Sequence, residues 1–409
     1  MKLFYHRDPI GNFGDDLNPW LWPRLIPELL DDNPAALFVG IGTILDERIP
    51  DEPRKVVFGT GVGYGRLPAL DERWKICCVR GPLTARALGL PPDLAGTDPA
   101  VLVRTVVPYG GTPLYPVSFM PHHRTKIRAA EQGLSLEEIC IEAGVNYIDP
   151  AWQVEEVIRA ISRSHLLIAE AMHGAIVADA LRVHWIPVQL YDHIRALKWQ
   201  DWCLSVGLEY EPEVYPVALG EDSSGGLGRF ISQVMKYGQP MLSTEGTIDG
   251  LVARLQERLD ALRADPQGDC CVTGGPHFVP DPEVLRSVPW LYEMQLAVRE
   301  LAALVPVGES FILVNQDEWG EGQVLAGRRA IPFMEKKGRY WGPPRNDRAA
   351  IQELERLRAS GASLIAFASS AFWWLDFYSG LHSHLRSNYR LLLESEYLVA
   401  FALDLPRCI

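Results

Sequence analysis

The stretch Ser164-His165-Leu166-Leu167-Ile168-Ala169-Glu170-Ala171-Met172-His173-Gly174-Ala175-Ile176-Val177-Ala178-Asp179-Ala180 constrains the fold more than any other. Its first half is a short apolar run, long enough for a buried strand. Its second half places apolar residues at Ile176, Val177, Ala180 and Leu181, the spacing of a helix. A strand that runs directly into a helix is the repeating unit of a parallel α/β sheet. Ligands in such folds bind where strands end and helices begin. His173 stands at that join, beside a glycine that leaves room for other groups. It is a candidate for proton transfer. The competing reading is a core or capping histidine.

Other joins of this kind precede it. Residues 2–5 read as a first strand, followed by a glycine-bearing loop up to Asn18 and a helix over residues 19–30. Asp15 and Asp16 suit helix caps, or one of them contacts or deprotonates a sugar hydroxyl. The turns around Gly42 and Gly61 resemble those that line nucleotide or phosphate sites, though neither is a full GxGxxG. A strand over residues 75–79 runs into Arg80-Gly81-Pro82, with proline suited to a first helical turn. Arg80 then sits at a strand's carboxyl end, where an anion would bind.

Such units up to about residue 102 predict a doubly wound domain over residues 1–112. A second domain of the same type is expected over 113–264, a linker over 265–281, and a small α/β domain over 282–409. The 409 residues are too many for one ordinary core. Past the strand expected at 184–190, the segment with Arg195, Lys198, Trp199 and Trp202 combines cations with aromatics. It suits an anion site beside a sugar platform, or an amphipathic helix with its tryptophans in the core.

A net charge of -13 argues against a general nucleic-acid binder, but not against a local basic pocket for a small anion. No apolar run approaches membrane-spanning length, and the amino terminus reads as a strand rather than a signal peptide. The expected location is therefore cytoplasmic. The seven cysteines include no CxxC, so neither a disulfide frame nor a zinc site is expected.

Five segments occur in a telling order: Asn12-Phe13-Gly14-Asp15-Asp16-Leu17-Asn18, Val79-Arg80-Gly81-Pro82-Leu83-Thr84, Thr97-Asp98-Pro99-Ala100, Pro121-His122-His123 and Glu170-Ala171-Met172-His173-Gly174-Ala175. Together they resemble the polysaccharide pyruvyl transferase family, in particular its bacterial exopolysaccharide branch, over residues 1–215. The resemblance implies two Rossmann-like domains in a GT-B-like arrangement. It implies phosphoenolpyruvate as co-substrate, with no cofactor, and a ketal-linked pyruvate on a sugar of an exopolysaccharide or its lipid-linked precursor. His173 matches the family's general acid/base, and Arg80 matches an arginine held to bind the donor. Many members carry an arginine two residues before the histidine, where this chain has Ala171. The second donor cation is then expected from Arg195 or Lys198.

The site expected on this basis joins Glu170 and Asp16 to His173 in catalysis. Gly42 and Gly61 flank the donor. Asp15, Asn18, His122, His123 and Trp199 receive the acceptor glycan. The tail, with Gly327-Arg328-Arg329 and Trp373-Trp374-Leu375-Asp376, resembles a module appended to bacterial glycosyltransferases and implies no activity of its own. Peripheral association with an assembly complex is compatible with it.

The chemistry fits these residue types. Phosphoenolpyruvate carries a carboxylate and a phosphate, which call for fixed cations. Ketal formation protonates the donor's methylene carbon, adds two hydroxyls to C2 and expels phosphate. Histidine titrates where these transfers need it, and no step demands a metal. A nucleotide-sugar glycosyltransferase of the same fold is the first alternative. A non-catalytic glycan-binding or assembly protein is the second, favoured by Ala171.

Overall fold

The structure is a computed structural model that describes residues 1–31, 33–63, 67–191, 196–215, 224–266, 289–315, 319, 325, 327–336 and 338–406. The chain divides into two compact units. The first comprises Met1–Ile44, Pro50–Val62 and Ala69–Val279, and the second Leu45–Ile49, Gly63–Pro68 and Pro280–Ile409. The position between residues 112 and 113, read as a domain boundary, falls between the two sheets of the first unit. Of the expected linker, all but Asp265 and Pro266 lies outside the described residues.

The first unit opens with β1 (Lys2–Phe4), α1 (Phe13–Leu25), β2 (Ala36–Val39), β3 (Arg54–Phe58), β4 (Trp74–Cys78) and α2 (Pro82–Ala87), then a 3₁₀ helix, Pro99–Thr105. The strands form a parallel sheet in the order β1-β2-β3-β4. A second run follows: β5 (Tyr115–Met120), α3 (His123–Glu131), α4 (Leu136–Glu142), β6 (Asn146–Tyr147), α5 (Val154–Ser162), β7 (Ser164–Ala169), α6 (Met172–Ala180) and β8 (His184–Gln189). It closes with α7 (Ala196–Ser205), β9 (Glu213–Val214), α8 (Ser224–Tyr237) and α9 (Glu245–Ala264). These strands form a parallel sheet ordered β6-β5-β7-β8-β9. The class is α/β with parallel sheets, as the strand–helix joins predict.

The opening stretch shows why β7 forms. Leu167 and Ala169 enter a core shared with Phe38 and Phe58 of the first sheet, while Ile168 enters a second core with Phe119, Ile186 and Phe230. Alternate side chains leave a strand on opposite faces, so only an unbroken apolar run can serve two cores. Full burial of Leu167 and Ile168 stabilises the fold by about 1.5–3 kcal/mol each. Ala175, Ile176, Val177 and Ala178 of α6 are buried in the core that spans both sheets.

α1 starts well before the expected residue 19. Asn12 caps it: its side-chain oxygen accepts from the Gly14 N–H at 3.3 Å, and Asp16 Oδ2 accepts from the Asn12 N–H at 3.1 Å. Pro19 lies inside the helix and has no N–H for the Asp15 carbonyl. Asn18 Nδ2 donates to that carbonyl at 3.1 Å in its place. Asp15, Asp16 and Asn18 are therefore helical residues rather than loop residues.

The second unit contains α10 (Pro289–Leu304), β10 (Ser310–Val314), β11 (Arg329–Pro332), β12 (Glu335–Lys336), β13 (Arg339–Tyr340), α11 (Asp347–Ala359) and β14 (Ala362–Ala368). It ends with α12 (Trp373–Phe377), α13 (Ser379–Asn388), β15 (Tyr389–Glu394) and β16 (Leu398–Pro406). Its sheet runs β11-β10-β14-β16-β15, with β16 antiparallel to both neighbours. Phe311, Phe367, Trp374 and Leu375 are buried. Trp373, next to Trp374, is 40% exposed, so the pair divides between core and surface.

Candidate active site

His173 is the second residue of α6, at the carboxyl end of β7. Two neighbours hold its ring. A Cβ added to Gly14, in the first turn of α1, would lie 2.2 Å from His173 Nδ1, so only glycine fits there. On the other side, His173 Nε2 lies 3.5 Å from Asp98 Oδ2. Asp15 is also within electrostatic reach of His173. Burial raises the Asp15 pKa, while the charges of His6 and His173 and a hydrogen bond from Asn12 oppose the rise.

His6 continues this line of polar groups toward β5. It is within electrostatic reach of Asp15 and of His123, whose Nε2 is 3.5 Å from Asp8 Oδ2. Burial, helped by the positive charges of Arg124, Lys198 and His6 and opposed by Asp8, brings the His123 pKa down to about 3. His123 is therefore neutral at physiological pH. The loop after β1, the first turn of α1, the loop after β5, the start of α6 and Lys198 of α7 thus meet in one place, past the carboxyl ends of strands from both sheets.

Several expected site residues are enclosed. Glu170 is 0% exposed and clamps the strand ends together. Its carboxylate accepts from the His122 N–H at 2.9 Å and the Leu190 N–H at 2.9 Å. Burial raises its pKa, and these backbone hydrogen bonds oppose the rise. Asp16 closes the capping box with Asn12, and burial raises its pKa as well. Asn18 is 0% exposed; besides the Asp15 carbonyl it serves the Ile41 carbonyl, and its oxygen accepts from Trp22 Nε1 at 3.0 Å. Trp199 is 0% exposed, stacked on Tyr210 at 5.0 Å and packed beside Trp185 and Trp202. It is core rather than a platform open to a sugar.

Arg80, expected at the donor, is also 0% exposed. Its guanidinium donates to Asp201 Oδ2 at 3.2 Å, Thr43 Oγ1 at 2.6 Å and the Val62 carbonyl at 2.9 Å. Gly61 makes room for it, since a Cβ there would lie 2.4 Å from the guanidinium carbon. Gly42, with φ +133°, offers its carbonyl to Thr60 Oγ1 and the Gly61 N–H, both at 3.0 Å. Asp201 in turn accepts from the Leu83 and Thr84 N–H groups at the start of α2. Arg80 thus ties together the turns that follow β2 and β3.

His122 caps α3 and lies 4.5 Å from the His123 ring, centroid to centroid. Lys198 is 8% exposed. Arg195 lies outside the described residues. Among the described residues, no three His, Cys, Asp or Glu side chains gather as a metal site. No helix there is long and apolar enough to cross a membrane.

Asp98, Gly14, His6 and Asp8 were not singled out from sequence as site residues. His6, Asp8 and Gly14 lie between β1 and the first turn of α1, so their signal was a position at a strand–helix join, whereas Asp98, between two 3₁₀ helices, had only its place in the segment Thr97-Asp98-Pro99-Ala100.

Comparison with known proteins gives this geometry its context. The polysaccharide pyruvyl transferase family matches residues 4–190. The succinoglycan biosynthesis protein ExoV of Rhizobium meliloti (strain 1021) is 40% identical over 272 residues, covering 64% of this chain and 84% of ExoV. The chain belongs to the polysaccharide pyruvyl transferase family. No solved structure matches it. The pyruvyl transferase match runs from the end of β1 through β8, and takes in His6, Gly14, Asp98, His123 and His173. Lys198 and the whole tail lie beyond it.

Proposed function

We propose that this chain transfers the pyruvyl group of phosphoenolpyruvate to a sugar of an exopolysaccharide or its lipid-linked precursor, forming a ketal. The observation that carries this reading is the setting of His173. Its imidazole is wedged between Gly14 and Asp98, beside Asp15, where loops from both sheets meet. That setting also supports a GT-B-like pairing of the two sheets around one site. The family match and the likeness to a succinoglycan biosynthesis protein support the substrate class.

In this reading His173 protonates the methylene carbon of the donor. One sugar hydroxyl adds to C2 and returns its proton to His173. The second hydroxyl displaces phosphate, which departs with the remaining proton. Lys198 and Arg124, which act on His123 electrostatically, supply positive potential for the donor's anionic groups. The N–H groups in the first turn of α6 add to it. Arg80 serves by holding the turns after β2 and β3 in place, and Glu170 by holding the strand ends.

The test is direct. The protein is incubated with phosphoenolpyruvate and lipid-linked or synthetic oligosaccharides, and products are read by mass spectrometry together with phosphate release. The expected product has gained pyruvate less one water, with one phosphate released per ketal. Transfer of a hexose from a nucleotide sugar, with no use of phosphoenolpyruvate, would overturn the reading.

A further inference from the structure

The segment Thr97-Asp98-Pro99-Ala100 has no task in the reaction as described so far. Its aspartate is 0% exposed. One carboxylate oxygen, Oδ1, accepts from the Ala100 N–H at 3.0 Å and caps the helix Pro99–Thr105. The other, Oδ2, is buried and forms no hydrogen bond. A carboxylate oxygen left alone in the interior is costly, so a cap alone does not account for this residue. The group nearest to hand is His173 Nε2 at 3.5 Å, which is itself buried and without a hydrogen bond.

The surroundings fix this approach. Pro99 is seated against Gly59, where a Cβ would lie 2.5 Å from the proline ring. Residues of Pro99–Thr105 and of α6 share one core. Gly14, having no side chain, leaves the space beside Nδ1 that a Cβ, 2.2 Å away, would fill. Two orphaned atoms therefore face each other across a gap that a few tenths of an ångström would turn into a hydrogen bond. Such bonds are often long in the absence of substrate and tighten in the reacting complex.

We propose that Asp98 is the positioning residue for His173. Its Oδ2 accepts the Nε2–H of the imidazole, which fixes the tautomer and leaves Nδ1 to exchange protons with the substrate. The same carboxylate steadies the imidazolium once His173 has taken up a proton. The inference rests on the reading of His173 as the group that moves protons, and the test separates the two.

Asp98→Asn keeps Oδ1, and with it the cap, but presents an N–H₂ to Nε2. It therefore favours the opposite tautomer, with the proton on Nδ1. The expected result is a fall in kcat of about 100-fold or more, with the KM for phosphoenolpyruvate within about twofold and an unchanged melting temperature. Nitrogen NMR of protein with labelled histidine should show Nε2–H at His173 in the natural chain and Nδ1–H in the variant. Asp98→Ser, which still caps the helix but cannot reach the ring, should lose kcat to a similar extent. Turnover within about twofold in Asp98→Asn, with an unchanged His173 tautomer, overturns the proposal. If His173→Gln is inactive in that case, the acid/base reading stands and only the role of Asp98 falls. If His173→Gln keeps full turnover, the acid/base reading falls, and the NMR comparison alone decides whether Asp98 holds the ring.

Discussion

The His173–Asp98 pair of the first unit and the His384–Glu355 pair of the second differ in almost every respect. In the first unit His173 and Asp98 stand 3.5 Å apart with 15% and 0% of their side chains exposed, and the facing atoms have no other partner. In the second, His384 Nε2 and Glu355 Oε1 are 2.9 Å apart, with 26% and 33% exposed. Glu355 is also bonded to Tyr389 and Arg358, and His384 Nδ1 pairs with Asn388. The second pair is complete: it clips α11 to α13 and β15, and nothing is left over. The first is incomplete in the interior, where incompleteness is expensive. Proteins tolerate such a cost where a substrate or a reaction will use the spare capacity. A histidine beside a carboxylate is thus uninformative by itself, and the balance of donors and acceptors around it separates a working pair from a clip.

The contrast breaks first, and hardest, if the two histidines respond alike. His173→Gln should reduce pyruvyl transfer by about 100-fold or more with little change in thermal midpoint. His384→Gln should leave transfer within about twofold and lower the midpoint instead. Equal activities in the two variants would remove the distinction.

Two glycines give a second comparison. Gly14→Ala places a methyl 2.2 Å from His173 Nδ1 and should displace the ring, lowering turnover roughly tenfold or more. In the tail, Gly380→Ala places a methyl 2.7 Å from Asp347 Cγ. It should cost about 1–3 kcal/mol of stability by overpacking, seen as a lower denaturation midpoint, and leave turnover per folded molecule unchanged.

The carboxylates should also respond to pH with opposite signs. Burial opposes ionisation of Glu355, but hydrogen bonds from Tyr389, His384 and Arg358 outweigh it and hold the pKa at about 2. A depressed pKa contributes stability that is present above the ordinary carboxylate range and is lost as pH falls toward 2. Because Glu355 is partly exposed, solvent screening limits this to about 1 kcal/mol. Glu355→Gln should therefore destabilise the protein by about that much at pH 7, with the difference narrowing below pH 4 in denaturant titrations. Asp15 is the reverse case and the smallest effect. Its raised pKa means that the favourable protonated form is lost as pH rises, so its carboxylate is a liability at neutral pH. Asp15→Asn should stabilise slightly at pH 7, with the gain shrinking as pH falls through the ordinary carboxylate range. A loss of stability at pH 7 in that variant would show that Asp15 is better paired than its surroundings indicate.

What the sequence disclosed follows from how local each signal is. The β7–α6 join was legible because an apolar run and a helical repeat are properties of neighbouring residues. The start of α1 was not, because Asp15 and Asp16 read as caps before a helix opening at Pro19, and the Asn18 side chain that lets the helix run through that proline is visible only in three dimensions. Arg80 was correctly located at a strand end, but its enclosure depends on Gly61 and Asp201, far off in sequence. Trp199 looked equally suited to a platform or a core, and only its neighbours Trp185 and Tyr210 settle the matter. Asp98 stood out only as part of the segment Thr97-Asp98-Pro99-Ala100, with no partner in sight along the chain. Its spare oxygen acquires meaning only once α6 packs beside it.

The Asn18 amide has a consequence for how this chain can change over generations. It supplies the Asp15 carbonyl with the donor that Pro19 lacks, and the same amide holds Ile41 and Trp22. A residue with a backbone N–H at position 19 would compete for that carbonyl and release one amide hydrogen from its duty, which is tolerable. Loss of Asn18 while proline remains would strand the Asp15 carbonyl, the Trp22 indole and both polar groups of Ile41 together. The two positions are thus not free to drift in either order: proline must leave first, and the asparagine can follow only when something else secures Ile41. A mutational path across this helix has a permitted direction, set by one side chain that substitutes for a missing piece of backbone.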